Sequence, residues 1–244
     1  MTKIFIDPGH GGTDTGAVGN GLQEKDITLS IALEMRRLLQ SEYEGVSVQL
    51  SRTKDETVSL DERTERANRW GADLYVSIHV NAGGGTGYED YIYHELSENS
   101  RTARIRDVLH EEVIRATRFH DRGKKKANFH VLRETTMSAV LTENGFIDHE
   151  EDAEKLADLN FLRAIARGHV NGLARALGLR KKAGAPNNPP PSDPDRGGAN
   201  PRRLTRVIID GTQVGAFAEA ESVLRQVEHY LGRAKRIVLE QVEE

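Results

Sequence analysis

Proline is concentrated in one short stretch of this 244-residue chain, and that stretch divides it. Six of the seven prolines lie between residues 186 and 201. The surrounding segment, residues 181–203, has almost no apolar side chains, so it cannot bury enough surface to fold and should be extended. The sequence therefore predicts a larger domain over residues 1–180, a linker over residues 181–203 and a small module over residues 204–244.

The composition excludes several classes of site and partner. The chain has no cysteine, so any metal must be held by nitrogen and oxygen ligands. It has no run of about 18 apolar residues, so membrane insertion is not predicted. The net charge of −4 argues against a nucleic-acid-binding surface. The chain opens on a strand pattern, and we expect it to be made in the cytoplasm without a signal peptide.

The larger domain alternates short apolar runs with stretches of helical spacing. The apolar runs predict strands over residues 3–6, 46–50, 74–78, 87–93 and 139–141. Helical spacing predicts helices over residues 26–40, 59–70, 98–118 and 160–177. This alternation predicts an α/β fold with a central, mostly parallel or mixed sheet flanked by helices. Ligands of such sheets tend to collect at the strand ends.

Residues 204–244 predict a small α+β module with the order strand, strand, helix, strand. Two apolar runs flank Asp210-Gly211, which is a strong hairpin signal. The predicted helix carries apolar residues at Ala220, Val223, Leu224, Val227 and Leu231. Such a short unit is near the lower size limit for folding alone, so we expect a homodimer through residues 204–244. A solitary marginal fold and docking onto the larger domain are the alternatives.

Two histidines and two glutamates lie at the ends of predicted elements. His10 follows the first strand, Glu24 opens the first helix, His79 follows a buried strand, and Glu143 follows a later strand. Each has an ordinary explanation on its own: a turn residue, a carboxylate at a helix start or a hydrogen-bonded core histidine. Glu143 is the exception, since its apolar surroundings require a partner or a raised pKa.

Taken together, the four residues indicate metal-dependent hydrolysis. Two histidines and one carboxylate leave an open position on a catalytic zinc ion, which lowers the pKa of a coordinated water to about 7. A further carboxylate is then needed to move protons. His10, Glu24 and His79 fit the first role and Glu143 fits the second. The same ligand set also describes the iron site of oxygenases, so ligand types leave the metal open.

Four sequence blocks resemble the zinc-dependent N-acetylmuramoyl-L-alanine amidases of the amidase-3 type. In chain order they are IFIDPGHGGTDTGAVGNGLQEKDITLSIA, SRTKDETVSLDERTERAN, ADLYVSIHVNA and AVLTENGFIDHEEDAEKL. The resemblance covers nearly all of residues 3–178. It implies that His10, Glu24 and His79 bind Zn²⁺ and that Glu143 is the catalytic glutamate. For other residues in these blocks it implies structural or ligand-orienting roles; they are Asp7, Arg52, Arg63, Asn68, Asn81 and Arg133.

The implied substrate is peptidoglycan, cut between N-acetylmuramic acid and L-alanine. The segment VIIDGTQVGAF, with VLRQVEHYL after it, resembles the C-terminal wall-binding module of amidase endolysins from phages of bacilli. It is also similar to half of a sporulation-related repeat. We therefore expect a phage endolysin, made in the host cytoplasm and acting on the wall after release. The alternatives are a sporulation or mother-cell autolysin, a non-catalytic wall-binding protein, an iron oxygenase, and a peptidase cutting within the stem.

Overall fold

The structure, a computed structural model, describes residues 1–185, 203–217, 223, 227, 230 and 235–243. The chain forms two compact units, Met1–Pro191 and Ser192–Glu244. Most of the predicted linker over residues 181–203 lies outside the described residues, and the domain boundaries stay a prediction. The first linker residues that are described bond to the end of the first helix, since the backbone N–H of Lys182 donates to the carbonyl of Glu42 at 2.8 Å.

The first unit alternates strands and helices as the apolar pattern predicts. Its strands are β1 (Thr2–Pro8), β2 (Val18–Gly19), β3 (Leu22–Gln23), β4 (Val46–Leu50), β5 (Leu74–Asn81), β6 (Tyr88–Tyr93), β7 (Asp121–Ala127) and β8 (Ser138–Phe146). Its helices are α1 (Glu24–Glu42), α2 (Leu60–Trp70), α3 (Arg101–Thr117), α4 (His130–Arg133), α5 (Glu150–Ala157) and α6 (Leu159–Leu177). Side chains of Ser59, Ser100 and Asp158 accept backbone N–H groups at the starts of α2, α3 and α6, which satisfies donors that the helices cannot use themselves.

Six strands form one sheet in the order β4-β1-β5-β8-β6-β7. Neighbours from β4 to β8 run parallel, β6 pairs antiparallel with β8, and β7 runs parallel to β6. The predicted mixed, mostly parallel sheet is confirmed. Because β1, β5 and β8 are adjacent and parallel, their carboxyl ends meet at one edge.

Helices cover the two faces of the sheet unequally. The larger core packs β1, β5 and β8 against α1, α3 and α6. In it, α3 and α6 approach closely at two glycines, because a Cβ on Gly172 would lie 2.7 Å from the Cα of Leu109 and one on Gly168 would lie 2.9 Å from that of Val113. The smaller core lies under α2 and α4 on the opposite face. The short α4 leaves part of that second face uncovered by helices.

Five elements of this unit were not predicted from the sequence: the two-residue strands β2 and β3, and β7, α4 and α5. The sequence of β7, DRGKKKA, has no apolar alternation. It nevertheless forms the last strand of the sheet, where only one side pairs and charged side chains are tolerated. In addition, β8 is longer than the predicted strand over residues 139–141, so Glu143 lies inside the strand rather than after it.

The second unit contains a three-stranded antiparallel sheet in the order β10-β9-β11. The strands are β9 (Arg203–Ile209), β10 (Thr212–Phe217) and β11 (Ile237–Glu243). The predicted Asp210-Gly211 turn is present, with φ values of 49° and 90°, as a two-residue hairpin of the primed type requires. Residues 223, 227 and 230 are helical; Ala220, Leu224 and Leu231 of the predicted helix lie outside the described residues. Across the described chain, none of the helices combines the length and the apolarity of a membrane span.

A buried histidine in α6 makes the stability of the fold sensitive to acid. His169 is fully buried and bonds to the hydroxyl of Thr142 and the carbonyl of Ile165. Burial, only partly offset by the Ile165 carbonyl, lowers its pKa to about 4. The unfolded chain therefore binds more protons than the folded chain between about pH 6.5 and pH 4, and stability falls as the pH falls through that window.

We predict that replacing His169 with glutamine removes this part of the acid destabilisation. Urea unfolding at several pH values between 7 and 4 should show the parent protein losing up to about 3 kcal/mol more than the variant. The exposed His120→Gln is the matched control and should follow the parent. Parallel stability curves for the parent protein and His169→Gln would contradict the assignment.

Candidate active site

The loop that follows β1 is built around two buried arginines. Arg63 donates to the Asp7 carboxylate at 2.7 Å and to the carbonyls of Pro8 and His10 at 2.7 and 2.6 Å. Arg52 donates to the carbonyl of Pro8 at 3.2 Å. His10 has a φ of 61°, a left-handed conformation that non-glycine residues rarely adopt. The bonds from Arg63 to the carbonyls on either side of this position hold the backbone there.

His10, Glu24 and His79 converge at the edge of the sheet. Glu24 is the first residue of α1, and His79 lies near the end of β5, next to β1. His10 Nε2 lies 3.1 Å and His79 Nδ1 lies 2.9 Å from the same carboxylate oxygen, Glu24 Oε1. One ligand atom from each residue falls within 4.8 Å of the others. The structure thus brings together the three residues of the predicted metal site.

The surroundings of the triad keep Glu24 ionised and orient His10. Backbone N–H groups of Val80 and Ala17 donate to the Glu24 carboxylate at 3.0 and 2.8 Å. Burial would raise the pKa of Glu24, but hydrogen bonds from His10 and His79 lower it far below its usual range. Burial likewise opposes protonation of His10, yet the bonds and charges of Glu24 and Asp14 raise its pKa. Asp14 holds His10 Nδ1 at 2.9 Å, which leaves Nε2 facing the triad.

This donor set suits a divalent transition metal. Ligands of a tetrahedral zinc ion lie about 2.0–2.2 Å from the metal, and three donors at that distance need the convergence seen here. The carboxylate is almost fully buried, whereas the side chains of His10 and His79 are 24% and 20% exposed. One side of the triad therefore stays open, as a catalytic metal requires for water and substrate.

Glu143 lies directly beside the triad. In the pairing of β5 with β8 it is the partner of His79, and in the pairing of β6 with β8 it is opposite Glu89. The residue is half-buried, but its Oε2 atom is shielded and has no hydrogen-bond partner among the described residues. Burial, and then the charges of Glu24 and Glu89, raise the pKa of Glu143 well above its usual value.

His10, His79 and Glu143 line one pocket of about 460 Å³. Its far wall is apolar and comes from the start of α2 and from α4, with Leu60, Phe129 and Val131. Leu60 and Phe129 are 55% and 40% exposed, which is high for large apolar side chains and typical of a binding surface. A carboxylate with a raised pKa in such a pocket is the pattern of a catalytic centre.

Other residues from the four family-like sequence blocks lie further from the centre. Asn68 connects α2 to the segment after α4. Its amide donates to the Glu134 carbonyl and accepts from the Thr136 backbone N–H. Arg133 pairs with Asn128 and Glu134 on the surface. Asn81 instead donates to Glu89 at 2.9 Å. Sequence reasoning missed Asp14 and Glu89, because a carboxylate in a loop or a strand carries no local signal of what it will touch.

The sequence of this chain matches one family over residues 4–175, the family described as N-acetylmuramoyl-L-alanine amidase (Amidase_3). It is 62% identical over 185 residues to the amidase CwlM of Bacillus licheniformis, covering 76% of this chain and 72% of that protein. It is 60% identical over 181 residues to the sporulation-specific amidase of Bacillus subtilis, covering 74% and 70%. It is 44% identical over 189 residues to an endolysin of Bacillus phage SPP1, covering 75% and 69%.

The fold has a close counterpart among solved structures. The catalytic domain of CwlV, an N-acetylmuramoyl-L-alanine amidase from Bacillus (Paenibacillus) polymyxa var. colistinus, superposes with a TM-score of 0.69 at 34% sequence identity. The match covers 74% of this chain and 100% of the other. The α/β unit is therefore the amidase catalytic fold.

Two glycines of similar backbone conformation test how closely the loop packs against the triad. Gly16 has a φ of 64°, and a Cβ added there would lie 2.5 Å from Glu24 Oε2 and 2.6 Å from the His10 ring. Gly21 has a φ of 76°, and a Cβ there would meet nothing within 4 Å. Both positions disfavour alanine, by roughly 1–2 kcal/mol of folding free energy, but only Gly16 packs against side chains of the triad.

We predict that Gly16→Ala lowers Zn²⁺ affinity by about tenfold or more, as loss of ligand positioning does. Gly21→Ala should lose stability but keep Zn²⁺ affinity. Competition with a chromogenic chelator measures the Zn²⁺ affinity. Thermal unfolding measures the loss of folding stability that both variants share. Equal affinities in the two variants would show that the packing of this loop does not position the triad.

Proposed function

The chain belongs to the Amidase_3 family and is an N-acetylmuramoyl-L-alanine amidase of peptidoglycan, and from this premise we propose a zinc-dependent mechanism. His10, Glu24 and His79 would hold the metal, and Glu143 would be the general base and acid. The observation that carries the proposal is an unpartnered carboxylate oxygen of Glu143 in the pocket that is also lined by His10 and His79, the two histidines of a convergent His–Glu–His group.

When bound, zinc would supply Lewis-acid polarisation of the lactyl carbonyl and make hydroxide accessible near neutral pH. Glu143 takes a proton from the attacking water and later gives one to the departing L-alanine nitrogen. Its raised pKa suits a group that must both accept and release a proton near neutral pH. Asp14 keeps the His10 ring in one orientation through Nδ1, so the Nε2 lone pair stays available.

We predict that Glu143→Gln retains Zn²⁺ and still binds cell walls but loses turnover. The amide keeps the size of the side chain and cannot accept the proton, which should lower kcat by about 10²–10⁴-fold. Dye release from labelled walls gives the rate and metal analysis gives the zinc content. The exposed Glu65→Gln, in α2, is the control of equal charge change. A Glu143→Gln variant that works near the parent rate would remove Glu143 from the mechanism.

We also predict that a chelator abolishes digestion of purified peptidoglycan and that zinc, but not ferrous iron, restores it. Mass analysis of the fragments should find free stem peptides beginning with L-alanine. Fragments that keep L-alanine on muramic acid would indicate a peptidase instead. Activity that survives full chelation would overturn the zinc mechanism. The fragment masses would still identify the bond that is hydrolysed.

We propose that residues 204–244 anchor the enzyme to the cell wall and pair two copies. In support, β10 and β11 are the outer strands of their sheet, and each leaves one side of its backbone for pairing with a second copy. Light scattering over a concentration series would distinguish a dimer from a monomer. Sedimentation with walls, comparing the full chain with residues 1–185, would test the anchor.

The cellular setting is part of the proposal. Identity to the phage endolysin supports release of a lysin made in the cytoplasm, and the higher identity to the sporulation-specific amidase supports a mother-cell autolysin. Both settings place the enzyme on the wall after release and use the same chemistry. Transcript timing in the producing cell separates them: expression with late phage genes supports the lysin, and expression in the sporulating mother cell supports the autolysin.

A further inference from the structure

The open face of the sheet continues past Glu143 onto β6 and β7, where a β-bulge changes the pattern of side chains. The pairing advances from Tyr88 with Asp121 to Asp90 with Lys124, so β7 has one extra residue there. Gly123 lies in this bulge with a φ of 84°. In a regular strand, side chains three residues apart point to opposite faces. The bulge instead turns Arg122 and Lys125 to the same face.

Both cations contact one buried carboxylate, that of Glu89. Arg122 Nε donates to Glu89 Oε2 at 2.7 Å, and Lys125 Nζ donates to the same oxygen. The other oxygen accepts from the Tyr91 hydroxyl at 2.6 Å and from Asn81 at 2.9 Å. Glu89 is only 3% exposed. Its carboxylate is thus fully occupied by four donors and has no capacity to neutralise a second positive charge.

The two cations are held in place and remain accessible. The Arg122 guanidinium stacks over the Phe146 ring at 4.7 Å, and Lys125 Nζ lies 5.8 Å from the centre of the Tyr91 ring. Their side chains are still 31% and 35% exposed. Within the described part of the chain, Glu89 is the only carboxylate in ion-pair distance of either. One net positive charge therefore faces solvent beside the strand pair that carries Glu143.

We propose that Arg122 and Lys125 form a binding subsite for a carboxylate on the peptide side of the substrate. The inference rests on the proposed function, because it places the leaving peptide next to Glu143. Around the scissile amide, the sugar and its lactyl group are uncharged, whereas the acidic residue after L-alanine can carry a free carboxylate. A fixed guanidinium and ammonium pair matches that group in charge and in hydrogen-bond donors.

This subsite gives the bound substrate a direction across the open face of the sheet. The peptide extends from Glu143 across β6 toward β7, and the uncharged glycan is left for the apolar wall near Leu60 and Phe129. Glu89 is a positioning residue in this arrangement, because it holds both cations without using their exposed sides. The bulge is needed because it brings the side chains of Arg122 and Lys125 to the same face of the sheet.

Two soluble substrates test the subsite on the unmodified protein. They are disaccharide peptides that differ only in the residue after L-alanine, which carries a carboxylate in one and a carboxamide in the other. A hydrogen-bonded ion pair of about 1.5–3 kcal/mol corresponds to a preference in kcat/KM of about tenfold or more for the carboxylate. Release of L-alanyl peptides from both at equal rates would overturn the subsite and leave the amidase function standing. No release from either would overturn the function, and the subsite with it.

Variants of two neighbouring lysines show which residue produces the preference for the carboxylate substrate. Lys125→Met should bring the ratio of the two kcat/KM values close to one. Lys125→Arg should retain the preference. Lys124→Met makes the same charge change one residue away, where the ammonium pairs with Asp107 of α3 at 3.3 Å, and should behave as the parent. A carboxylate preference that survives Lys125→Met, or that Lys124→Met removes equally, would overturn the assignment.

Discussion

The active site depends on the buried guanidinium of Arg63. Its donors meet the Asp7 carboxylate and the carbonyls of Val58, Pro8 and His10, so one side chain ties the end of β1 to the start of α2. Removing one partner of such a buried pair typically costs about 3–5 kcal/mol. The desolvation cost of burying the intact pair is offset by further hydrogen bonds, since the Asp7 carboxylate also accepts from the Ser77 hydroxyl at 2.8 Å. The left-handed backbone of His10 follows from this arrangement.

The order of strands then places the chemistry. Three parallel neighbours carry the residues of the first step, with His10 after β1, His79 on β5 and Glu143 on β8. Beyond them the sheet turns antiparallel at β6, which brings Glu89 opposite Glu143. The carboxylates of Glu24 and Glu89 on either side raise the pKa of Glu143 together with burial. In the proposed mechanism, these neighbours are what make Glu143 the general acid and base.

The parts of the fold that could be predicted were those with a local cause. Strong apolar runs located the central strands, and helical spacing located α1, α2, α3 and α6 to within a few residues. The strand β7 was missed because its sequence is mostly charged and lacks the apolar alternation used to predict strands. An edge strand does not need that alternation. The triad was predicted because His10 and His79 each come after an apolar run in the sequence, although His79 lies inside β5, and the family resemblance linked them to Glu24 and Glu143. Glu89, Asp14 and the role of Arg122 were not predictable, since their partners are distant in sequence or depend on a one-residue bulge.

The sequence by itself determined the α/β class and the residue types available for a metal centre, because these depend on composition and on short-range periodicity; the division of the chain at residues 181–203 stays a prediction. The tertiary structure alone decided which polar groups contact the same carboxylate oxygen, which carboxylate oxygen lacks a partner, and which of three consecutive lysines contacts Glu89. Those outcomes depend on strand register, where a shift of one residue moves a side chain to the other face of the sheet. Register is set by contacts between segments that are far apart in the chain, so no local pattern contains it.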